Sequence, residues 1–173
     1  MATEKPTIAA GRRPATRAEA RALAHPLRLR ILRLCLDEAL TNRELADRLD
    51  EQAATVLYHV RTLERTGFLV REPERRGRRG AREIPYRSTR KSLRLEFGLD
   101  SGGHVAMIDA ARAELADAGP EAVLTMSRLA TRLKPEQLTT FVDQLTSLVN
   151  QTIAADEPEG EPIAIFVMVH GRA

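Results

Sequence analysis

The chain has 173 residues, enough for one substantial domain or two small ones, and its 43% apolar content excludes a disordered polyelectrolyte. Its single cysteine, Cys35, excludes an internal disulfide framework, and no apolar run approaches the roughly 20 residues that span a bilayer. The formal net charge is +3, yet residues 1–94 carry 22 Lys and Arg against 12 Asp and Glu, whereas residues 95–173 carry 5 against 12. The first half is therefore suited to a polyanion and the second is not.

Residues 1–16 hold two prolines, a glycine and no apolar period, so a flexible arm is expected. The arm lacks the apolar core of a secretion signal, so the expected location is cytoplasmic. Arg12, Arg13 and Arg17 are candidates to touch phosphate, against the plainer reading of a solvated tail. Thr16, with Glu19 three residues on, predicts a capped helix that carries Ala20, Leu23 and Ala24 on one face. His25-Pro26 ends it, and Pro26 opens a second helix with Leu27, Ile31, Leu34 and Cys35 on one stripe. Arg28, Arg30 and Arg33 fall mostly outside that stripe.

Thr41-Asn42-Arg43-Glu44 is a second capping box, and Leu45, Ala46 and Leu49 are the apolar positions of a short helix. Asp50-Glu51-Gln52 makes a tight link to a further helix, about Ala53 to Thr66, with Val56, Val60 and Leu63 facing inward. The opposite face carries Ala54, Tyr58, Arg61 and Arg65, flanked by Leu57 and Thr62, and Gly67 is the stop. Strands are predicted at 68–72 and 82–87, the second demoted to an edge by Pro85. Between them lies an arginine-glycine tip, Arg75-Arg76-Gly77-Arg78-Arg79-Gly80. Leu93, Leu95 and Phe97 alternate as a further strand would.

Composition shifts at 99–103, where a domain boundary is expected. A helix is predicted from His104 to Ala118, and residues 122–133 suit helix or strand equally. Pro135 opens an amphipathic helix through Ile153, and the apolar run 163–169 reads as a buried strand after an acidic linker. The expected fold is mostly α with a β wing. A flexible arm (1–16) precedes a winged helix-turn-helix domain (17–98), and a smaller helical or α+β dimerisation region (103–173) follows.

Two helices with a tight link, then a basic hairpin, form a unit able to grip double-stranded DNA. A helix fits the major groove, and the candidates on its exposed face are Gln52, Ala54, Thr55, Leu57, Tyr58, Arg61 and Arg65. The candidates in cap and wing are Thr41, Arg75, Arg76, Arg78, Arg79 and Arg82, which would sit on phosphates or enter the minor groove. The alternative is a winged helix used only for protein contacts.

Three stretches, residues 24–32, 44–49 and 54–60, closely resemble the ArsR-type winged-helix transcriptional regulators, and the resemblance covers roughly residues 18–90. It implies a homodimer that binds an imperfect palindrome and usually represses transcription. It carries over to the recognition helix, Gln52 to Arg65, and to the wing. The chain departs from the family at Leu57, where a serine is common, and at Asp50, where glycine usually closes the turn.

Metal sensing, which the resemblance invites, is not expected. The region 45–50 lacks the family's cysteine pair, and Cys35 alone cannot complete a soft site. His25, His59, His104 and His170 are scattered, and His104 and Asp109 do not share a helix face. Neither a glycine-rich phosphate loop nor a Ser, His and Asp grouping stands out, so neither catalysis nor a cofactor is expected. His59 is read as packed at the edge of its helix's inner stripe. In the C-terminal half dimerisation is expected. An apolar small-molecule effector site between the 135–154 helix and the strand at 163–169 is the coexisting alternative.

Overall fold

Two capping boxes set the helical frame. The computed structural model describes residues 12–77, 81–96, 103–157 and 159–171. Helix α1 (Arg17–Leu23) starts where the Glu19 amide donates to Thr16 Oγ1 at 3.3 Å and the Thr16 amide donates to the Glu19 carboxylate at 2.8 Å. Helix α3 (Asn42–Leu49) repeats the device: the Glu44 amide donates to Thr41 Oγ1 at 3.2 Å, and the Thr41 amide to Glu44 at 2.8 Å. Each box satisfies two amides that the helix itself leaves without partners. Between them, α2 (Pro26–Leu34) opens on Pro26, with the His25 ring accepting the Leu27 amide at 3.2 Å.

Helix α4 (Ala53–Arg65) follows α3 after a turn in which Asp50 takes φ +51°, the left-handed conformation that a glycine would adopt without a Cβ penalty. Its inner stripe, Val56, His59, Val60 and Leu63, is buried. Gly67, at φ +73°, ends the helix and turns the chain into β3 (Leu69–Arg71). One contiguous core gathers Leu27 and Ile31 of α2, Leu45 and Leu49 of α3, the α4 stripe, Phe68 and Tyr86. Cys35 is wholly buried in it, and burial pushes its thiol up to about 12, so it serves as a small apolar residue.

The sheet departs from the expected two-stranded wing. Strand β2 (Leu40–Thr41), unforeseen in the sequence, pairs antiparallel with β6 (Pro85–Ser88), which also pairs with β3; the order is β2-β6-β3. The strand carrying Pro85 is thus central, not an edge. Pro85 is tolerated because it is the first residue of β6, where its carbonyl accepts the Glu72 amide at 2.9 Å. Beyond this sheet the chain forms a narrower hairpin, β4 (Arg75–Arg76) with β5 (Arg82–Glu83), closed by the Gly77 amide on the Ala81 carbonyl at 2.8 Å. The expected arginine tip at Arg78, Arg79 and Gly80 lies outside the described residues.

The last part of the arm is ordered. Strand β1 (Arg13–Pro14) lies parallel to β7 (Leu95–Glu96), which follows a 3₁₀ turn at Lys91–Arg94. The alternating segment therefore contributes only a two-residue strand, and Phe97 lies outside the described residues. Glu19 holds this corner together. It is buried, and its carboxylate receives Arg13 through two bonds of 2.7 and 2.9 Å and Lys91 Nζ at 2.7 Å. Arg13, then Lys91, hold the Glu19 carboxyl well below the usual carboxylate range.

Two compact units form: one is residues 12–122, and a second begins at Val123. Helix α5 (Gly103–Ala118) packs on α1 and α2 through Gly103, Ala106 and Ala110, with Arg30–Asp117 (2.5 Å) and Arg33–Glu114 (3.5 Å) ion pairs alongside. Small residues let the helices approach closely, so α5 joins the winged-helix unit rather than starting a new one. In the second unit α6 (Pro135–Ala154) begins at Pro135, as its pattern predicts, with the Lys134 amide donating to Gln137 at 2.9 Å. Residues 123–133 are neither helix nor strand, after a 3₁₀ turn at Pro120–Ala122. The strand expected at 163–169 is not formed and the segment is exposed, because no segment among the described residues pairs with it.

The orientation of α4 depends on a small polar knot. Arg28, which the pattern places outside the α2 stripe, turns inward and donates to the carbonyls of Ala22 and, at 2.8 Å, Arg21. Its remaining nitrogen lies 3.3 Å from His59 Nδ1. A guanidinium only donates, so Nδ1 accepts and the ring is the neutral tautomer with its proton on Nε2. The ring of His25 packs 4.4 Å from that of His59. Burial, reinforced by His25 and Arg28, lowers His59 from 6.5 to about 4.

Two stability predictions follow from these contacts. The unfolded chain binds a proton at His59 near pH 6.5 and the folded one only near 4, so stability is complete above about pH 6.5 and falls as pH drops towards 4. The slope is at most roughly 1.4 kcal/mol per pH unit for this one proton; urea titrations across the window should show it, and His59→Phe should flatten it. Glu19→Gln should cost on the order of 1–3 kcal/mol at neutral pH, the worth of bonds to a charged acceptor. It should also speed amide exchange at Ala15, whose N–H binds the Glu96 carbonyl.

Candidate nucleic-acid interface

The interface is built outward from the buried stripe of α4. Because Val56, His59, Val60 and Leu63 face the core, residues on the other side of the 3.6-residue turn must face outward. Ala54, Tyr58, Arg61 and Arg65 occupy that line and are exposed; Tyr58 is 66% accessible, unusual for so large a ring. Gln52 and Thr55 are exposed at the start of the helix, and Leu57 is half-buried at its flank. The candidates Gln52, Ala54, Thr55, Tyr58, Arg61 and Arg65 therefore lie on one accessible surface, with Leu57 at its margin.

The charges on that surface are available. Arg61 and Arg65 make no ion pair among the described residues, although the protein is rich in carboxylates elsewhere. No side chain caps α4 at Gln52, so the positive end of the helix dipole and its first amides face outward. Tyr58 packs edge-on against His59, ring centroids 5.2 Å apart, which ties the exposed phenol to the buried knot. Asn42, a residue the sequence reading did not single out, donates to the Ala53 carbonyl at 2.9 Å and links the start of α3 to the start of α4. Its capping-box neighbourhood was legible, but the bond spans two helices and has no local signal.

The wing divides into engaged and available arginines. Arg75 reaches back to Glu44, 2.5 and 2.6 Å from its two oxygens, and lies 3.8 Å from Glu83. Burial would raise the Glu44 carboxyl, but the Thr41 amide and hydroxyl and the Arg75 guanidinium outweigh it and hold it below its ordinary range. Arg75 thus ties the hairpin to α3 rather than projecting from it. Arg76 is exposed and pairs across the hairpin with Arg82, a like-charge juxtaposition that costs energy in the absence of an anion. Among the described residues Arg82 has only a loose partner, Glu74 at 3.7 Å.

Thr41 does not belong to the surface. It is 4% exposed, and its hydroxyl donates to Glu44 while accepting the Glu44 amide, so its capacity is absorbed in the cap. In this placement Thr41 sets the start of α3, on which α4 rests. On α6, Glu136, Gln137, Thr140, Phe141 and Gln144 line a shallow groove. Among the described residues no group of three or more His, Cys, Asp or Glu is placed to hold a metal ion, and no helix is long and apolar enough to cross a membrane.

Residues 23–72, which run from the end of α1 through β3, match the model of a helix-turn-helix domain family. No curated protein matches the chain. Among solved structures, the chain is similar to reduced HlyU from Vibrio cholerae N16961, with 22% identity, a TM-score of 0.35, and coverage of 53% of this chain and 81% of that one. It is also similar to the transcriptional regulator SlyA, with 13% identity, a TM-score of 0.33 and 75% of each chain covered. The chain from Pro26 to Ser88 is a winged helix-turn-helix: three helices, α2 to α4, a three-stranded sheet and a basic hairpin.

Proposed function

We propose that the protein is a transcriptional regulator that binds double-stranded DNA in the cytoplasm as a homodimer. It lays α4 in the major groove and the β4–β5 hairpin along the adjoining backbone. The observation that supports this reading is the accessible line of Tyr58, Arg61 and Arg65, whose guanidiniums lack partners among the described residues. The helix-turn-helix match over residues 23–72 agrees with it. Arg61, midway along the face, is the residue for bidentate contact with a guanine edge, and Tyr58 and Thr55 flank it. Arg76 and Arg82 bind phosphate, which relieves the repulsion between them.

Dimerisation through α5 is part of the proposal. One side of α5 packs on α2, and the opposite side exposes Val105, Ile108 and Leu115. A second copy of α5 covers that stripe across a two-fold axis, which sets two recognition helices on the duplex and makes the target a palindrome. Repression is the mode that the ArsR-type resemblance implies, by occupying the operator.

Selection from random duplexes should enrich a two-fold symmetric site; absence of any enriched sequence would overturn the proposal. On that site Arg61→Ala should cost about 1–3 kcal/mol and relax preference at a single base pair per half-site. Arg76→Ala should instead weaken all duplexes alike and reduce the salt slope by about one counterion. Affinity that is indifferent to salt would favour the other reading, a winged helix that contacts only protein.

A further inference from the structure

The described residues of the unit that begins at Val123 form no core. None of its described residues, 123–157 and 159–171, is buried, although the segment is rich in large apolar side chains. Leu124, Met126 and Leu129 are 78–85% exposed, and every large apolar residue from Ile163 to Val169 is between 47% and 54% exposed. Helix α6 leaves Phe141 and Leu148 in solvent as well. Conformational entropy opposes ordering such a segment, and only burial offsets that. A soluble monomer rarely carries so large an apolar surface.

We propose that residues 123–133 and 163–169 form an intermolecular β interface, in which 123–133 of one copy of this chain lies beside 163–169 of a second copy, and the reverse. The inference rests on the homodimer proposed above and names a contact distinct from the α5 stripe.

Two observations select this occupant. First, neither stretch makes a backbone–backbone hydrogen bond among the described residues, so burying their side chains requires a partner that also supplies amides and carbonyls. Another extended segment does so, whereas a helix face does not. Residues 163–169, apolar at every position and rich in β-branched side chains, suit a strand covered on both faces. Second, the charges are complementary. Arg128, Arg132 and Lys134 accompany the first stretch, and Glu157, Glu159 and Glu161 precede the second. A reciprocal pairing across a two-fold axis brings these sets together twice.

The test uses the full-length chain. One population carries Ser127→Cys and another Ala164→Cys; native Cys35 is buried and does not compete. Refolded together and oxidised, the mixture should yield a disulfide-linked heterodimer, and the doubly substituted chain should link into dimers rather than internally. Hydrogen exchange in the unmodified protein should show amides of 163–169 slowed at least about tenfold relative to unprotected chain. Ile165→Asp/Val167→Asp should abolish that protection, and with it the protection of 123–133, while α4 and β6 stay protected as a control of folding. A dimeric mass with unprotected 163–169 amides would overturn this inference and leave the α5 dimer standing. A monomeric mass at working concentration would overturn both, and a 127–164 link found only within one chain would overturn the exchange of segments.

Discussion

The burial of one stripe of α4 is the constraint on which the rest of the structure depends. Val56, Val60 and Leu63 are fully buried, and His59 sits among them with its Nδ1 facing Arg28. A helix seated by three aliphatic residues alone can rotate a little without losing much area. The His59–Arg28 contact removes that freedom, because hydrogen bonds are directional where apolar contact is not. Fixing the inner face fixes the outer one, and Tyr58, Arg61 and Arg65 are thereby presented along a single line. Desolvation of the two imidazoles keeps them neutral at ordinary pH, so the knot holds beside a guanidinium without like-charge repulsion.

The capping boxes show the same economy of parts. Glu19 and Glu44 each close a helix start, and each also receives a cation from a distant element: Arg13 and Lys91 in one case, Arg75 in the other. The first draws the N-terminal strand and the 3₁₀ turn onto α1; the second draws the hairpin onto α3. Loops that would otherwise move independently are held to the helices they flank. The basic hairpin therefore keeps a set position relative to α4 while Arg76 and Arg82 stay exposed. A surface ion pair alone contributes little, but these carboxylates are already oriented by two or more bonds, which lowers the entropic cost of adding another.

The helical part of the site was legible because its determinants are local. Thr16 with Glu19, Thr41 with Glu44, Pro26, Gly67 and the 3.6-residue spacing of Val56, Val60 and Leu63 all act within a turn or two. The sheet was less legible. Leu40-Thr41 is too short to have a pattern, and it becomes a strand only because β6 offers an edge. That pairing turned the Pro85 strand from an edge into the centre of a sheet. Arg75 and Arg76 are neighbours of identical type, so nothing in the sequence separates the one that binds Glu44 from the one that faces Arg82 across the hairpin. Thr41 looked available for a ligand because its cap bonds, taken alone, do not tell how deeply it is buried. Asp50 departs from glycine in sequence yet adopts the backbone that glycine would.

What the sequence by itself determined is the order of the helices from Thr16 to Gly67, the accessible face of α4 and the sign of its charge. Helix periodicity, caps and side-chain chemistry are short-range, and they survive any change in the surroundings. What only the tertiary structure decided is where each element goes. It drew α5 onto α2 through small residues, turned Arg28 inward, placed β2 beside β6, and left 163–169 exposed although the run is apolar throughout. An apolar strand needs a neighbour to bond its backbone, and whether one is available is a property of the whole assembly rather than of the segment.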